Sequence, residues 1–351
     1  MSDVALKSYT EVAQRYYGNS SSLHDAGGQA YYYVEQARQV IANKLGVNKD
    51  GIFFNGSGTE GNLLAILSLA RSSKKGKHII TTKSEHTSVH AAVNILAQLG
   101  YEVTKIDLLA NGEVDLLQLK KAIRSDTILL SIQHVNSEIG VIQPIHQIAQ
   151  LAKREGIYLH TDCVQSFCKL DIQSFSSEVD AITISAHKIG GPKGCGAIYL
   201  NPQLNVASLT PGVTHEKGLR GGTLDTPAIV AFAVAVESCS YNENFHKQLR
   251  QVLIENIPST YKLVNCKNQL PSICGLFTEK YEGQYVLLKL NEAGICISTG
   301  SACDIKSEAG TKAIIAMGYS GDEARKFFRI SFGEQTTQEE MKHLLKALKS
   351  I

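Results

Sequence analysis

The chain alternates short apolar runs with longer stretches in which apolar residues recur every three or four positions. The short runs predict strands, and the longer recurrence predicts helices. The predicted strands are "GIFF" (51–54), "HIITT" (78–82), "EVTKID" (102–107), "TILLSIQ" (127–133), "IYLHTD" (157–162), "AITIS" (181–185) and "GAIYL" (196–200). The predicted helices between them are 61–72, 87–99, 115–124 and 145–155.

This order of elements predicts an α/β fold with a mainly parallel sheet flanked by helices on both faces. The alternation fades after about residue 240. We therefore expect a large domain over 1–240 and a smaller C-terminal α/β domain over 241–351, ending in a helix that "TTQEEM" opens with a capping box. The run "AIVAFAVAV" follows "LDTP" and predicts a buried helix, because nine residues are too few to span a bilayer.

Composition narrows the function classes. The 351 residues carry a formal net charge of +2 and no basic run, which argues against a nucleic-acid or membrane partner. The eight cysteines include no C-x-x-C pair, and no signal peptide opens the chain, so we expect a reduced, cytoplasmic protein. His160, Cys163 and Cys168 lie close in sequence but lack a second ligand cluster with zinc-site spacing, so we expect no metal.

The first candidate for chemistry is the glycine-rich stretch "GSGTEG", Gly56 to Gly61, between a strand and a helix. Glycines let backbone N–H groups approach an anion, and a helix N-terminus adds partial positive charge, so the stretch predicts a phosphate site. It also matches the dinucleotide pattern G-x-G-x-x-G, with Glu85 as a candidate ribose ligand. An ordinary tight turn is the third interpretation.

The second candidate is "SAHKIGGPKGCG", in which Lys188 follows a strand. A lysine amine at a strand end can bind the aldehyde of a carbonyl cofactor. Ser185 and His187 flank it and can donate to a phosphate, whereas a surface lysine leaving the sheet is the simpler interpretation.

An acidic residue on the preceding strand favours the cofactor. Asp162 ends "IYLHTD", and ligands of parallel sheets bind at the carboxyl ends of the strands. A pyridoxal phosphate (PLP) site needs a lysine for the aldehyde and an acid for the ring nitrogen, which Lys188 and Asp162 can supply. Gln165 could reach the ring hydroxyl, and His86 in "SEHTS" could stack on the ring.

Two further residues suggest a substrate. Cys303 lies among small residues in "ISTGSACDI", a setting typical of a reachable, reactive thiol. The other seven cysteines are interpreted mostly as small hydrophobic residues. Arg329 in "FFRISFGE" fits a bidentate clamp on a substrate carboxylate, with a structural ion pair as the alternative.

Taken together, the motifs resemble those of the class I, NifS/IscS-like cysteine desulfurases, which are PLP-dependent aminotransferase class V enzymes of fold type I, the aspartate-aminotransferase-like fold. The resemblance runs from about Tyr17 to about Thr337. It rests on "YGNSSSLH", "GSGTEGN", "SEHTSV", "VNSEIGVIQPI", "HTDCVQSFCK", "SAHKIGGPKGCGAIY", "EKGLRGGTLD", "STGSAC" and "RISFG".

The resemblance implies a role for each matching position. Lys188 would bind the PLP aldehyde, and Cys303 would take the sulfur of L-cysteine as a persulfide, leaving L-alanine. Arg329 would bind the substrate carboxylate. The remaining implied cofactor-binding residues are Gly58, Thr59, His86, Ser137, Asp162, Gln165, Ser185, His187 and Thr223, the last acting from the other subunit of a homodimer.

Three departures from the family pattern bear on activity. The chain starts after the usual "Asp-x-Ala-Ala-Thr-Thr"-like segment, so we expect a site that lacks one wall or a start codon that is assigned too late. Ser137 replaces an asparagine that contacts the ring. "Asn-Gly-Ser-Gly-Thr" replaces the usual phosphate-loop sequence, and Leu63 stands where an asparagine is common.

The resemblance leaves the acceptor of the sulfur open, among iron–sulfur scaffolds, tRNA-thiolation enzymes and NAD-pathway enzymes. Two alternatives remain beside a cysteine desulfurase. One is a related PLP lyase acting on selenocysteine, and the other is a weakly active PLP-fold protein that binds partners.

Overall fold

The computed structural model describes residues 1–299 and 311–351, which form two sheets. The larger sheet has seven strands in the order β1-β7-β6-β5-β4-β2-β3. Its strands are β1 (Ile52–Asn55), β2 (His78–Thr82), β3 (Glu102–Ile106), β4 (Thr127–Ser131), β5 (Tyr158–Asp162), β6 (Ala181–Ser185) and β7 (Gly196–Leu200). All seven predicted strands are therefore present.

Five neighbouring strands of this sheet, from β6 to β3, run parallel to one another. The strand β7 pairs antiparallel with both β6 and β1. The chain between Ser185 and Gly196 is too short to hold a crossover helix, so it returns as a hairpin. The prediction of a mainly parallel sheet is confirmed, with an antiparallel margin on the β1 side.

Helices cover both faces of the large sheet, because the strands are apolar toward either side. The helices up to residue 238 are α1 (Asp3–Arg15), α2 (Asp25–Leu45), α3 (Gly58–Ser72), α4 (Thr87–Gln98), α5 (Leu116–Ala122), α6 (Ile145–Glu155), α7 (Gln173–Ser176) and α8 (Thr226–Ser238). The predicted buried helix is α8, which Asp225 caps by accepting from the Ala228 N–H at 3.0 Å. Among the described residues, no helix has the length and apolar character that crossing a membrane requires.

Several predicted bounds are wrong by one to three residues. Helix α3 begins at Gly58 rather than 61, because the Ser57 side chain accepts from the Glu60 N–H and starts the helix earlier. Strand β1 begins after Gly51, which closes a 3₁₀ turn. Strands β3 and β4 and helices α4 and α5 end before the predicted 107, 133, 99 and 124.

The second sheet lies in the C-terminal part of the chain. It is antiparallel, in the order β10-β9-β8, with β8 (Tyr261–Leu263), β9 (Ile273–Thr278) and β10 (Phe327–Ser331). The helices of this part are α9 (Glu243–Asn256), α10 (Gly283–Glu292), α11 (Lys312–Ala316), α12 (Gly321–Arg325) and α13 (Gln338–Lys349). An apolar cluster of its own includes Leu276 and Phe328, and Thr337 forms the predicted capping box with Glu340. The division at residue 240 stays a prediction.

The cysteines mostly have the apolar surroundings that the sequence predicts. Of the seven in the described ranges, Cys163, Cys195 and Cys274 are buried in apolar clusters. Cys168 and Cys266 are half-buried and pack against such clusters. Cys239 and Cys296 are the two exceptions in these ranges, because neither belongs to an apolar cluster.

Candidate active site

Asp162 ends β5 at the carboxyl edge of the parallel strands, beside Thr183 of β6. Its side chain is buried and accepts two hydrogen bonds, from Asn62 Nδ2 at 2.7 Å and from the Val164 N–H at 2.9 Å. Two donors that come from a helix and from the following turn fix the direction of the carboxylate. The site is therefore built on a rigid acid.

A hydrogen-bonded chain leads from this acid to His86, the N-cap residue of α4. Asn62 Nδ2 also donates to Ser88 Oγ at 2.9 Å, and Ser88 Oγ lies 2.7 Å from His86 Nδ1. The Ser88 N–H donates to the same Nδ1 at 3.2 Å. Because Nδ1 accepts, the neutral ring of His86 carries its proton on Nε2.

The pKa of His86 is affected by the charges of other predicted site residues, which therefore lie near it. Burial lowers the pKa of His86 below its ordinary value, Asp162 acts in the opposite direction, and the ammonium groups of Lys312 and Lys188 lower it further. The Lys312 Nζ donates to Thr87 Oγ1 at 2.6 Å, at the start of α4. His86 therefore stays neutral at neutral pH, close to both an acid and an amine.

Lys188 lies in a 3₁₀ turn, Ala186–Ile189, that follows β6 directly. This turn places it at the same sheet edge as Asp162, since β5 and β6 are parallel neighbours. The neighbouring Ser185 Oγ lies 2.9 Å from His187 Nδ1. Burial lowers the pKa of His187 below its ordinary value, and the charge of Lys188 lowers it further.

A cavity of about 300 Å³ opens beside Lys188. Lys169, Cys239 and Glu334 line it together with Lys188, so amines, a thiol and a carboxylate share one space. Met1 and Ser2 also line it.

Arg329 lies on β10, which pairs with β9 in the second sheet. Its Nη1 donates to the Ser137 carbonyl at 2.7 Å, and its backbone pairs with Ser298 through two hydrogen bonds. The neighbouring Glu138 accepts from the Ala313 N–H at 2.7 Å. Burial raises the pKa of Glu138 to about 7, while Lys312 and Arg329 act in the opposite direction.

Three predicted residues have less defined surroundings. Gln165 is half-buried in the turn after Asp162, and Thr223 is exposed in the segment before α8. The nearby Arg220 ties that segment to α3 through Glu60, at 2.8 Å. Cys303 lies outside the described residues.

Sequence reasoning missed Asn62, which contacts both Asp162 and Ser88. The available signal was its spacing, because Asn62 lies four residues after Gly58 and shares its face of α3. The glycine pattern of this stretch does not by itself indicate a role for the buried amide of Asn62.

The dinucleotide interpretation of "GSGTEG" is wrong. Glu85 is only 1% exposed, and its carboxylate accepts from Thr82 Oγ1 and from the Gln133 N–H. Burial raises the pKa of Glu85 to about 8. A carboxylate turned into the sheet cannot reach a ribose in the cleft.

The residues at this sheet edge fit PLP. Asp162 supplies a directed carboxylate and Lys188 an amine. The Glu60 and Gly61 N–H groups of the first turn of α3 bond to Ser57, and those of Gly58 and Thr59, which precede any intrahelical partner, can serve a phosphate. A side chain at Gly58 would come within 2.8 Å of Val164 Cγ2 and 3.6 Å of Ser185 Cβ, so this helix start is packed against both neighbouring turns. In the described ranges, no cluster of side chains has the composition of a metal site.

Comparison with known proteins places the chain among related sequences and folds. A family model described as "Aminotransferase class-V" matches residues 2–344. The chain is 43% identical to "Putative cysteine desulfurase NifS" of Bacillus subtilis (strain 168), over 97% of this chain and 89% of that protein. It is 36% identical to "Cysteine desulfurase IscS" of Dictyoglomus turgidum, over 95% of this chain and 87% of that protein.

Solved structures give the same result. The structure titled "NIFS-LIKE PROTEIN" superposes with a TM-score of 0.91 at 30% identity, covering 100% of this chain and 95% of the other. The structure titled "SspA in complex with cysteine" superposes with a TM-score of 0.84 at 34% identity, covering 95% of each chain.

Proposed function

This chain belongs to the aminotransferase class-V family and is a cysteine desulfurase; from that premise we propose that the Asp162–Lys188 sheet edge, Arg329 and Cys303 together convert L-cysteine to L-alanine. The sulfur remains on Cys303 as a persulfide. The reaction balances, because one thiol gains a sulfur atom and the substrate side chain exchanges its sulfur for hydrogen. The directed carboxylate of Asp162, held by two donors, is the single observation that carries the assignment of the site.

The cysteine desulfurases of this family are PLP-dependent, and we propose that the sheet edge holds PLP. When bound, PLP supplies an aldehyde for the amine of the substrate and a ring that accepts an electron pair from its Cα. Asp162 would hold a negative charge facing the ring nitrogen, and Gln165 would bind the ring oxygen. The phosphate would be bound by Gly58 and Thr59 at the start of α3. It would also be bound by Ser185, His187 and, from a second subunit, Thr223.

Three protein side chains carry out proton transfer and substrate binding. The amine of Lys188 holds the cofactor at rest and moves the proton at the substrate Cα. His86 would stack on the ring, and it keeps a proton on Nε2 for transfer, because its Nδ1 accepts from the Ser88 N–H. The guanidinium of Arg329 binds the substrate carboxylate, and its bond to the Ser137 carbonyl keeps it in place.

Ser137 takes part through its backbone in this arrangement. Its carbonyl accepts from Arg329 Nη1 at 2.7 Å, so a residue predicted to contact the ring also positions the carboxylate clamp. The exchange of the family's asparagine for serine leaves that backbone contact intact.

The test is single-turnover sulfur transfer by the purified protein. With L-cysteine, the wild type should release alanine and carry a persulfide on Cys303 that a reductant discharges as sulfide. Cys303→Ser should bind the cofactor normally, yet form no persulfide and release no alanine above background.

Cys296→Ser is the matched control, because Cys296 is an exposed thiol earlier in the same region of the chain. It should retain full turnover. Normal alanine release by Cys303→Ser, or loss of release in the Cys296 variant alone, would contradict the assignment.

We also propose that the protein is a cytoplasmic homodimer that passes its sulfur to acceptor proteins of iron–sulfur assembly or tRNA thiolation. The exposed apolar and aromatic residues of α1, α2 and their connection support a partner surface, since Tyr17, Tyr31 and Tyr32 are all more than half exposed. Light scattering should give twice the chain mass of 38.1 kDa. A monomer with full activity would exclude a role for the partner's Thr223.

A further inference from the structure

Two free cysteines meet at the edge of the cavity beside Lys188. Cys168 lies six residues after Asp162, and Cys239 follows the last residue of α8. The Cys239 thiol donates to the Cys168 carbonyl at 3.6 Å, and the two thiols are hydrogen-bond partners. Both side chains are half-buried. The pair brings together segments 71 residues apart in the chain.

The backbone at Cys168 is held in an unusual conformation. Its φ is +61°, and the only other non-glycine residues with positive φ in the described ranges are Glu216 and Lys217. A left-handed residue brings its Cβ close to the neighbouring carbonyl, which is why glycine usually takes such positions. A cysteine that keeps this conformation beside a second thiol suggests a site where the thiol itself is used.

The surroundings divide the two thiols into an attacking and a resolving group. The hydrogen bond between them lowers the pKa of Cys239 and raises that of Cys168. Cys239 also lines the cavity beside Lys188, where solutes can reach it. Burial lowers the pKa of the neighbouring Lys169 to about 8, so this amine can take up a proton near neutral pH. Glu334 opposes the ionisation of Cys239, and its Oε1, at 3.5 Å from Cys239 Sγ, is an alternative acceptor for the thiol proton.

We propose that Cys168 and Cys239 form a thiol-oxidation site that low-molecular-weight disulfides convert to an intramolecular disulfide. The Cys239 thiolate attacks one sulfur of the small disulfide, forming a mixed disulfide and expelling one small thiolate. Cys168 then loses its proton and attacks the Cys239 sulfur, which expels the second small thiolate. The two protein thiols are oxidised by two electrons, and one small disulfide is reduced to two thiols.

The new bond joins the turn after Asp162 to the end of α8, where the chain passes into its C-terminal part. It closes a long loop and therefore restricts the unfolded chain more than the folded one. The oxidised protein should melt at a higher temperature than the reduced protein, and reduction should reverse the increase.

To test this proposal, the PLP-loaded protein is treated with cystine, the disulfide form of cysteine. The remaining thiols are then blocked, and the peptides are mapped without reduction. We expect a cross-link between the peptides of Cys168 and Cys239, reversed by dithiothreitol. In Cys168→Ser, Cys239 should instead retain one cysteinyl group. In Cys239→Ser, Cys168 should stay reduced, because the attacking thiol is missing.

Cys266 and Cys296 are internal controls, since they are accessible thiols in the same molecule. The proposal fails if they react while the pair stays reduced, or if cross-links to them are as abundant as the Cys168–Cys239 link. It also fails if Cys168 acquires the cysteinyl group as readily in Cys239→Ser as Cys239 does in Cys168→Ser. The readout needs no turnover, so failure here leaves the proposed desulfurase activity untouched.

Discussion

The two halves of the candidate site are built in different ways. The sheet-edge half contains Asp162, His86 and Lys188, which follow strands of one parallel sheet or cap a helix packed on it. The two-sheet half contains Arg329, which comes from the second sheet and reaches Ser137, in the connection that follows strand β4 of the first. The first half inherits its geometry from neighbouring strands, whereas the second depends on the contact between the second sheet and that connection.

This difference separates what each half can do. A directed carboxylate and a neutral histidine need fixed partners, and the sheet edge supplies them through Asn62 and Ser88. A carboxylate clamp has to admit and release substrate, and a contact between two sheets is a natural place for it. We therefore expect changes in the sheet-edge half to affect turnover most and changes in the two-sheet half to affect substrate binding.

The largest effect should come from Lys188→Ala. Loss of the amine removes covalent attachment of PLP and the proton transfer at the substrate Cα, so turnover should fall on the order of 10⁴-fold. Absorbance of the protein-bound cofactor and alanine release measure the two losses. Lys193→Ala, an exposed lysine of the same loop, should change neither. An unchanged cofactor spectrum in Lys188→Ala would show that Lys188 is not the residue that binds the PLP aldehyde.

Asp162→Asn should come next, with kcat reduced about 10³-fold and the fold retained. The amide still accepts from the Val164 N–H but no longer carries the charge that stabilises a protonated ring. Steady-state kinetics with a circular dichroism melt would test this, with Asp171→Asn on the protein surface as the control. A rise in KM with an unchanged kcat would contradict this prediction, because it would assign Asp162 to substrate binding.

Arg329→Ala should weaken substrate binding by about 2 to 4 kcal/mol, mainly through KM, because a charge-assisted contact to the carboxylate is lost. Arg325→Ala is the matched control, since that arginine is exposed and bonds to Asp322. An unchanged KM would mean that the Ser137 contact is purely structural.

The smallest effects should be on stability against pH, with one buried carboxyl in each half. Burial raises the pKa of Glu85 to about 8 and that of Glu138 to about 7, from 4.5. The folded protein then keeps a proton that the unfolded chain loses. Each residue therefore makes stability fall as pH rises from about 4.5 to its raised pKa.

Glu85→Gln and Glu138→Gln should each abolish that residue's share of the decline in denaturant unfolding, and the share should be larger for Glu85, because its pKa is raised further. The effect should continue to about pH 8 for Glu85 but end near pH 7 for Glu138. If both variants changed the stability over the same pH range, the predicted difference between the halves would be contradicted.

The sequence predicts the sheet-edge half far better than the other. Asp162 and Lys188 follow apolar runs, so the rule for parallel strands places both at one edge without knowledge of packing. The antiparallel strand β7 depends on a hairpin, and the Asn62 contact depends on how α3 lies on the sheet. The nearness of Arg329 to Ser137, and of Cys168 to Cys239, arises from residues far apart in the chain, which local patterns do not encode.

The position of β1 has a consequence for synthesis of the protein. Within residues 1–299 and 311–351, β1 pairs only with β7, and about 140 residues separate Asn55 from Gly196. At ribosomal rates of about 5–20 residues per second, the apolar strand waits on the order of ten seconds for its neighbour. The start of α3 directly follows this strand, so a nascent chain cannot complete the pocket proposed for its vitamin-derived cofactor until more than half of the polypeptide has been translated.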